Sequence, residues 1–444
     1  MTLIAKEPGA AIPPAAAPPG SAPPTPTPTS GSLAQVVRLL VVLAIVTAIF
    51  LAAGLGDLLL FIAILIVIVM LHELGHFATA KWSGMKVTEY FVGFGPRLWS
   101  VRRGETEYGV KAIPAGGYVR ITGFTVLEEV AEEDEPRTYR QQPFWKRLIV
   151  GSAGSAMHFI IALVLAFIVV LSFGVSSNNV QVAQLDHWQG VARTPAQVAG
   201  LRSGDVITSV NGKALNGIDN LTKAIAGSAG TPITIGFERD GQAHQVTVTP
   251  QKGQGITLSG AGGQKLSPNK GYIGIALEPA TASENPLRAV GTAFANVGSY
   301  TSQEVGGIVK TFSASGIESV YHQVTNSKDA AKAAKNPNNA RPVSLVGIAS
   351  LGVQAQQAGL VDLLNLLILI NIIFGLINML PMIPLDGGHV AVAAYEWIRT
   401  RKGQPYYRAD ITKLFPVVFV FVAVLLVLVF SGVFLDITHP IKLP

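Results

Sequence analysis

The chain alternates long apolar runs with polar segments, and five runs are long enough to cross a membrane. They cover residues 33–53, 58–80, 148–173, 361–380 and 414–433. A helix needs about 20 mainly apolar residues to cross the hydrocarbon core. The pattern therefore predicts a multi-pass α-helical membrane protein with about five spans. The first run could also be a cleaved signal, but the long tail before it has little positive charge, which favours a retained helix.

The basic residues predict the orientation of these spans. Lys and Arg are frequent in the loop 81–147 and recur in the loop after the fourth run, at Arg399, Arg401, Lys402 and Arg408. Short basic loops lie on the cytoplasmic side of a membrane. We therefore expect a cytoplasmic N-terminus, and we expect residues 174–360 to lie outside the cytoplasm.

Two polar segments predict little fixed structure, and a third region predicts a folded module. Residues 1–31 are rich in Pro, Ala, Thr and Ser, which predicts a disordered tail. Residues 326–341, rich in Lys, Asn and Ala, predict a flexible linker. The module has a strand at 206–210, a helix at 218–226, and a hairpin of strands 233–239 and 245–249 across Asp240–Gly241.

Composition supports the membrane prediction and limits the chemistry. The 444 residues are 49% hydrophobic and 14% charged, against about 25% charged in soluble domains. The net charge is +6, and the basic residues do not gather on any soluble segment, so no nucleic-acid partner is predicted. The chain has no cysteine. Any metal must therefore be held by nitrogen and oxygen ligands.

The second apolar run contains the motif H-E-x-x-H at His72, Glu73 and His76. Residues four apart share one face of a helix, so both imidazoles can bind one metal ion, with Glu73 beside it as a base. Ionisable groups in a bilayer are costly and need a strong reason. A zinc site with an open position for water supplies one.

A second polar cluster ends the fourth run. Residues 378–388 contain two prolines and two glycines, and Asp386 is the best candidate for a third metal ligand. Broken helices at membrane depth are tolerated where they line a cavity. The alternative is that Asp386 only marks a helix end at the interface. Both clusters lie toward the cytoplasmic ends of their runs, so they can meet at one depth.

These two motifs together resemble the site-2 protease family of intramembrane zinc metalloproteases. The resemblance covers about residues 58–444 and is to the bacterial branch with an inserted PDZ domain, of the regulator-of-sigma-E protease type and its actinobacterial relatives. It implies that His72, His76 and Asp386 bind one zinc ion. It also implies that Glu73 is the catalytic base and that Asn378 helps to hold the substrate backbone.

Two further segments share the resemblance. Residues 109–123, with Gly116 and Gly117, are similar to the family's membrane-associated β-hairpin, which could offer a strand edge to an extended substrate. An ordinary cytoplasmic hairpin is the alternative. Residues 195–205 resemble the start of a PDZ domain. That domain could bind peptides or act as a steric barrier.

The chain departs from the family pattern early in the third run. Where the family has Gly-Pro-x-x-Asn, residues 154–158 read Gly-Ser-Ala-Met-His. His158 could keep a polar role, contact substrate or simply pack, and we do not predict it as a metal ligand. His389 is a weaker ligand candidate than Asp386.

The predicted fold is a multi-pass helical core with an inserted β-rich, PDZ-like domain and a cytoplasmic β-hairpin. Its parts are a disordered tail (1–31), an additional helix (32–57), a first half-core with the hairpin (58–174), an extracytoplasmic PDZ-like domain (180–280), a linker and membrane-surface segment (281–360) and a second half-core (361–444).

The resemblance implies a protease of the bacterial inner membrane that acts in regulated intramembrane proteolysis. Its substrates would be single-span membrane proteins such as anti-sigma factors already cut outside, and clearance of signal-peptide remnants is a second possible role. Rival hypotheses are a metal transporter, which usually has internal repeats that we do not find, and a scaffold, which would be expected to have lost Glu73 or a ligand. The oligomeric state stays open.

Overall fold

The computed structural model describes residues 32–124, 128–258, 265–335, 341–400 and 407–441. The predicted disordered tail lies outside these residues. The chain divides into two compact units. The first ends at Val150 and the second begins at Gly151, with Leu60–Ile62 grouped with the second.

The first unit opens with two apolar helices, α1 (Leu33–Ala52) and α2 (Gly56–Trp82). Ser32 caps α1 by accepting a hydrogen bond from the backbone N–H of Gln35. A helix satisfies its own backbone hydrogen bonds, which a lipid-facing segment requires. Both helices match the predicted first and second runs to within two residues.

Two long strands follow, β1 (Val87–Arg103) and β2 (Thr106–Ile121), which pair antiparallel with several register shifts. Residues 89–92 of β1 lie opposite two parts of β2, 107–110 and 117–120. The hairpin predicted within 109–123 was therefore wrong in its bounds. Most of that segment belongs to one strand, and the turn lies earlier, at Gly104, whose φ of +62° suits glycine.

The first unit ends in two 3₁₀ turns, Glu135–Arg137 and Tyr139–Gln141, and the start of α3 (Phe144–Phe173). Its apolar core joins the end of α2, the sheet and α3 through Ala80, Met85, Val87, Ile121, Tyr139 and Val150. This core fixes the sheet beside α2.

The second unit begins with a β-rich domain. Its elements are β3 (Val175–Leu185), α4 (Pro195–Val198), β4 (Val206–Val210), β5 (Lys213–Ala214), α5 (Ile218–Gly227), β6 (Ile233–Arg239), β7 (Gln242–Val248), β8 (Gln251–Lys252), β9 (Gly271–Tyr272) and β10 (Ile275–Ala282). Within the described residues, the main sheet has the order β10-β3-β4-β6-β7, with β5 on β4. The predicted strand, helix and hairpin are confirmed, although β7 begins three residues earlier than expected.

Helices fill the region after this domain: α6 (Pro286–Thr311), α7 (Ala314–Thr325), α8 (Ser327–Ala334) and α9 (Leu345–Ala358). The flexible linker predicted at 326–341 was therefore wrong for the part that α8 covers. Asn326 caps α8 by accepting from the N–H of Lys328. The alanines and lysines behind this cap are good helix formers.

The chain ends with α10 (Leu360–Asn378), α11 (Asp386–Arg399), a 3₁₀ turn (Ile411–Leu414) and α12 (Phe415–Thr438). α10 stops three residues before Pro381, which cannot continue a helix because it lacks an N–H. α11 begins at Asp386. The predicted break at residues 378–388 thus separates two helices.

Five helices within the described residues are long and apolar enough to cross a membrane. They are Leu33–Ala52, Gly56–Trp82, Phe144–Phe173, Leu360–Asn378 and Ile411–Thr438. The predicted multi-pass helical protein with an inserted β-rich domain is confirmed.

Candidate metal centre

His72 and His76 lie one turn apart on α2, and both side chains are buried. Their Nε2 atoms are 3.3 Å apart. Two nitrogens bound to one tetrahedral zinc ion at roughly 2.0–2.1 Å lie about 3.3–3.4 Å from each other. The spacing of the two imidazoles therefore suits shared binding of one ion.

The main chain of α3 orients His76. Nδ1 of His76 lies 2.7 Å from the carbonyl oxygen of Val150. In the tautomer that donates this hydrogen bond, Nε2 keeps its lone pair for a metal. A backbone carbonyl thus selects the nitrogen that faces His72.

Asp386 completes a group of three candidate ligands. One donor atom from each of His72, His76 and Asp386 lies within 4.8 Å of the others, and no other described residue belongs to this group. Two imidazoles and one carboxylate are a donor set that suits zinc and leaves a fourth position open. The residues therefore fit the metal that the sequence implies. His389 and His158 are not in the group.

The sheet of the first unit holds Glu73. Oε2 of Glu73 accepts a hydrogen bond of 3.0 Å from the backbone N–H of Val119 in β2. Nearby, the hydroxyl of Tyr90 donates to the carbonyl oxygen of Met70, at 2.7 Å. Burial, and next the negative charge of Glu73, raises the pKa of Tyr90 to about 12. Tyr90 therefore stays a neutral donor at physiological pH.

Gly117, one of the two predicted substrate-binding glycines, lies where the sheet meets α2. A Cβ on Gly117 would overlap Sδ of Met70 and lie 3.1 Å from the carbonyl oxygen of Phe91. Gly116 has a φ of +127°, which side-chain-bearing residues rarely adopt. Both positions therefore need glycine for structural reasons. Their contact with substrate, like that of Asn378 at the end of α10, stays a prediction.

His158 has a polar partner within the second unit. Its Nδ1 lies 2.9 Å from Oδ1 of Asn371, whose Nδ2 donates to the carbonyl oxygen of Leu367 at 2.8 Å. Both side chains are buried. The sequence analysis did not single out Asn371, although a polar residue inside the apolar run 361–380 is a recognisable signal.

Two other groups that contact the site leave no signal in the sequence. The carbonyl of Val150 and the N–H of Val119 are backbone groups, and any residue except proline at position 119 supplies them. Only the fold brings them to His76 and Glu73.

The family of known proteins that this chain matches is peptidase family M50, whose family model covers residues 60–426. Among curated proteins, it is 38% identical over 232 residues to zinc metalloprotease Rip1 of Mycobacterium tuberculosis, which is 49% of this chain and 57% of that protein. It is 36% identical over 263 residues to zinc metalloprotease Rip1 of Mycolicibacterium smegmatis, or 55% of this chain and 64% of the relative. The chain thus aligns with less than two thirds of either relative.

A more distant relative and one solved structure also match. A putative zinc metalloprotease of Clostridium acetobutylicum is 32% identical over 185 residues, covering 42% of this chain and 51% of that protein. The crystal structure of the PDZ domain of an SdrC-like protein from Listeria monocytogenes is 21% identical, with a TM-score of 0.17. That match covers 23% of this chain and 90% of the solved one.

Proposed function

Because the chain belongs to peptidase family M50, we propose that it is a zinc endopeptidase that cleaves membrane proteins within the bilayer. The observation that carries the proposal is the grouping of the donor atoms of His72, His76 and Asp386 within 4.8 Å. Glu73 adjoins one of these ligands on the same helix. The zinc metalloproteases among the relatives support zinc as the metal.

The roles of the side chains follow from their positions. The chemistry that zinc supplies when bound is polarisation of a carbonyl oxygen and acidification of a water molecule. His72, His76 and Asp386 hold the ion. Glu73 takes a proton from the attacking water and passes it to the leaving amine nitrogen. The N–H of Val119 keeps the Glu73 carboxylate in one orientation, which proton transfer requires.

Two exposed tryptophans support a site below the membrane surface. Trp82 at the end of α2 is 78% exposed, and Trp145 at the start of α3 is 62% exposed. Tryptophan is enriched where helices leave the bilayer. His72 precedes Trp82 by ten residues, or about 15 Å along the helix at roughly 1.5 Å per residue. That depth is about half the hydrocarbon thickness.

The substrates that suit such a site are single-span membrane proteins. A substrate helix must unwind before water can reach its peptide bonds, and a strand edge such as β2 can hold the extended segment, with Asn378, Gly116 and Gly117 near its backbone. We include anti-sigma factors already cut outside, and thus regulated intramembrane proteolysis, in the proposal. The proposed location is the bacterial cytoplasmic membrane, with the N-terminus inside and the PDZ-like domain outside.

The test is cleavage of a tagged single-span substrate by the purified full-length chain in lipid nanodiscs. Glu73→Gln removes the base and keeps the ligands, so we expect bound zinc to persist and the rate to fall by about 10²- to 10⁴-fold. Glu132→Gln, at an exposed residue of the loop before α3, is the matched control. Cleavage by Glu73→Gln at the normal rate would overturn the proposal. Zinc uptake into vesicles that depends on His72 would favour a transporter.

A further inference from the structure

The additional helix α1 precedes the part of the chain that matches the peptidase family, which begins at residue 60. Residues 53–55 join it to α2. Arg38 lies in the second turn of α1, at the end of the helix far from this junction.

Arg38 binds the sheet of the first unit. Its Nη2 donates to the carbonyl oxygens of Leu98, at 2.7 Å, and of Arg97, at 3.0 Å. Its Nε donates to the carbonyl oxygen of Leu98 at 3.2 Å. The planar guanidinium thus holds two consecutive carbonyls of β1, an arrangement that the point charge of a lysine cannot reproduce. Glu107 of β2 pairs with the side chain of Arg97 at 2.5 Å, which ties the same point to the second strand.

Met70 and Glu73 of α2 contact another part of the sheet. Tyr90 donates to the carbonyl oxygen of Met70, Gly117 packs against its side chain, and the N–H of Val119 binds Glu73. The sheet therefore has two anchors. One anchor is Arg38 on α1, and the other is the stretch of α2 that carries Glu73.

We propose that Arg38 is a positioning residue for the peptidase reaction, and this rests on the function proposed above. By fixing residues 97–98, Arg38 prevents the sheet from pivoting about its contacts with α2. The N–H of Val119 then stays on Glu73. The exposed apolar side chains along the rest of α1, such as Leu40 and Leu43, suit lipid. The additional helix thus contributes to the site through its first two turns.

The contact can be tested independently of activity, because the chain has no cysteine. In the full-length protein, Arg38→Cys combined with Leu98→Cys should be joined by a short bis-maleimide. The control is Leu43→Cys combined with Leu98→Cys, because Leu43 is an exposed residue five positions after Arg38 on α1. This pair should give no product. Equal yields from the two pairs would overturn the contact.

Kinetics test the role of the contact. Arg38→Ala should lower kcat for a single-span substrate by about tenfold, less than the roughly 10²-fold that a 1 Å misplacement can cause. KM and bound zinc should stay near the wild-type values, whereas a general loss of structure would reduce zinc content too. Arg38→Lys keeps the charge without the planar guanidinium, so its kcat should lie between those of Arg38→Ala and the wild type. Leu43→Ala should match the wild type.

Glu73→Gln, assayed beside these variants, separates this proposal from the proposed function. Cleavage by Glu73→Gln at the wild-type rate overturns the proposed function. An inactive Glu73→Gln together with a wild-type kcat for Arg38→Ala overturns the role of Arg38 alone. A higher KM with an unchanged kcat for Arg38→Ala also contradicts it, because the proposed effect acts on Glu73.

Discussion

Glu105 links the turn between β1 and β2 to two other parts of the first unit. Its carboxylate accepts from Arg137 at 2.7 and 2.9 Å and from Lys81 at 2.6 Å. The hydrogen bonds from Arg137, and then the one from Lys81, lower its pKa from 4.5 to about 2. The folded state therefore favours the charged carboxylate. The resulting stabilisation is complete above pH 4.5 and is lost as the pH falls toward 2.

We therefore predict that Glu105→Gln lowers the unfolding temperature at neutral pH. The difference from the wild type should shrink steadily as the pH falls through the range from 4.5 to about 2. Thermal unfolding in detergent at a series of pH values measures it. Glu132→Gln, at an exposed position of the loop before α3, should show no such trend. A difference that is independent of pH would mean that the ion pairs of Glu105 contribute nothing.

Gly117 tests how closely the sheet must approach α2. Gly117→Ala places a methyl group on Sδ of Met70, so the sheet must move away from Glu73 or Met70 must change rotamer. We predict slower cleavage with normal zinc content. Met70→Ala in the same chain removes the overlapping sulfur and should restore part of the rate. Cleavage assays on both single variants and the double variant decide this, and an additive loss in the double variant would contradict a steric cause.

At the scale of elements, the bond between His158 and Asn371 joins α3 to α10 within the second unit. Buried hydrogen bonds between membrane helices contribute about 0.6 kcal/mol on average and about 1.7 kcal/mol at most. We predict a coupling free energy in this range for the pair. A double-mutant cycle with His158→Leu and Asn371→Leu, read by unfolding in detergent, measures it. Strict additivity would show that the two side chains do not stabilise each other.

The helices were predictable because their signals are local. The length of an apolar run sets α1, α2, α3, α10 and α12, and Pro381 lies just beyond the end of α10. The four-residue spacing of His72 and His76 places both on one face of α2. Each of these inferences needs only a short stretch of sequence.

The sheet was predicted poorly because its pairing is not local. Residues 89–92 lie opposite two separate parts of β2, and register shifts interrupt the alternation that identifies a strand. Gly116 and Gly117 belonged to the segment predicted as a hairpin, but Gly117 packs closely on Met70 of α2 and Gly116 has a φ of +127°. The contacts of Val119 with Glu73 and of Val150 with His76 use backbone atoms, so no residue type reveals them.

At the scale of the whole molecule, the proposed activity depends on two apolar segments that are about 300 residues apart in the sequence and supply ligands to one ion. We predict that a chelator abolishes cleavage and that added zinc restores it. Asp386→Asn replaces a charged oxygen ligand with a neutral amide, so it should lower zinc content as well as the rate. Metal analysis alongside the cleavage assay checks both effects. An active, metal-free Asp386→Asn protein would contradict the assignment.

Orientation in the membrane is the remaining prediction, and it follows from charge. Lys and Arg are frequent in the loop between α2 and α3, which predicts that this loop is cytoplasmic. Because α3 crosses the membrane once more, the β-rich domain is then predicted to lie outside. Because the chain has no cysteine, single cysteines report the two sides without background. In spheroplasts, a membrane-impermeant maleimide should label Lys213→Cys, on exposed strand β5, and should label Glu132→Cys only after lysis. The reverse pattern would invert the topology and place the β-rich domain where it could not meet the outer part of a substrate.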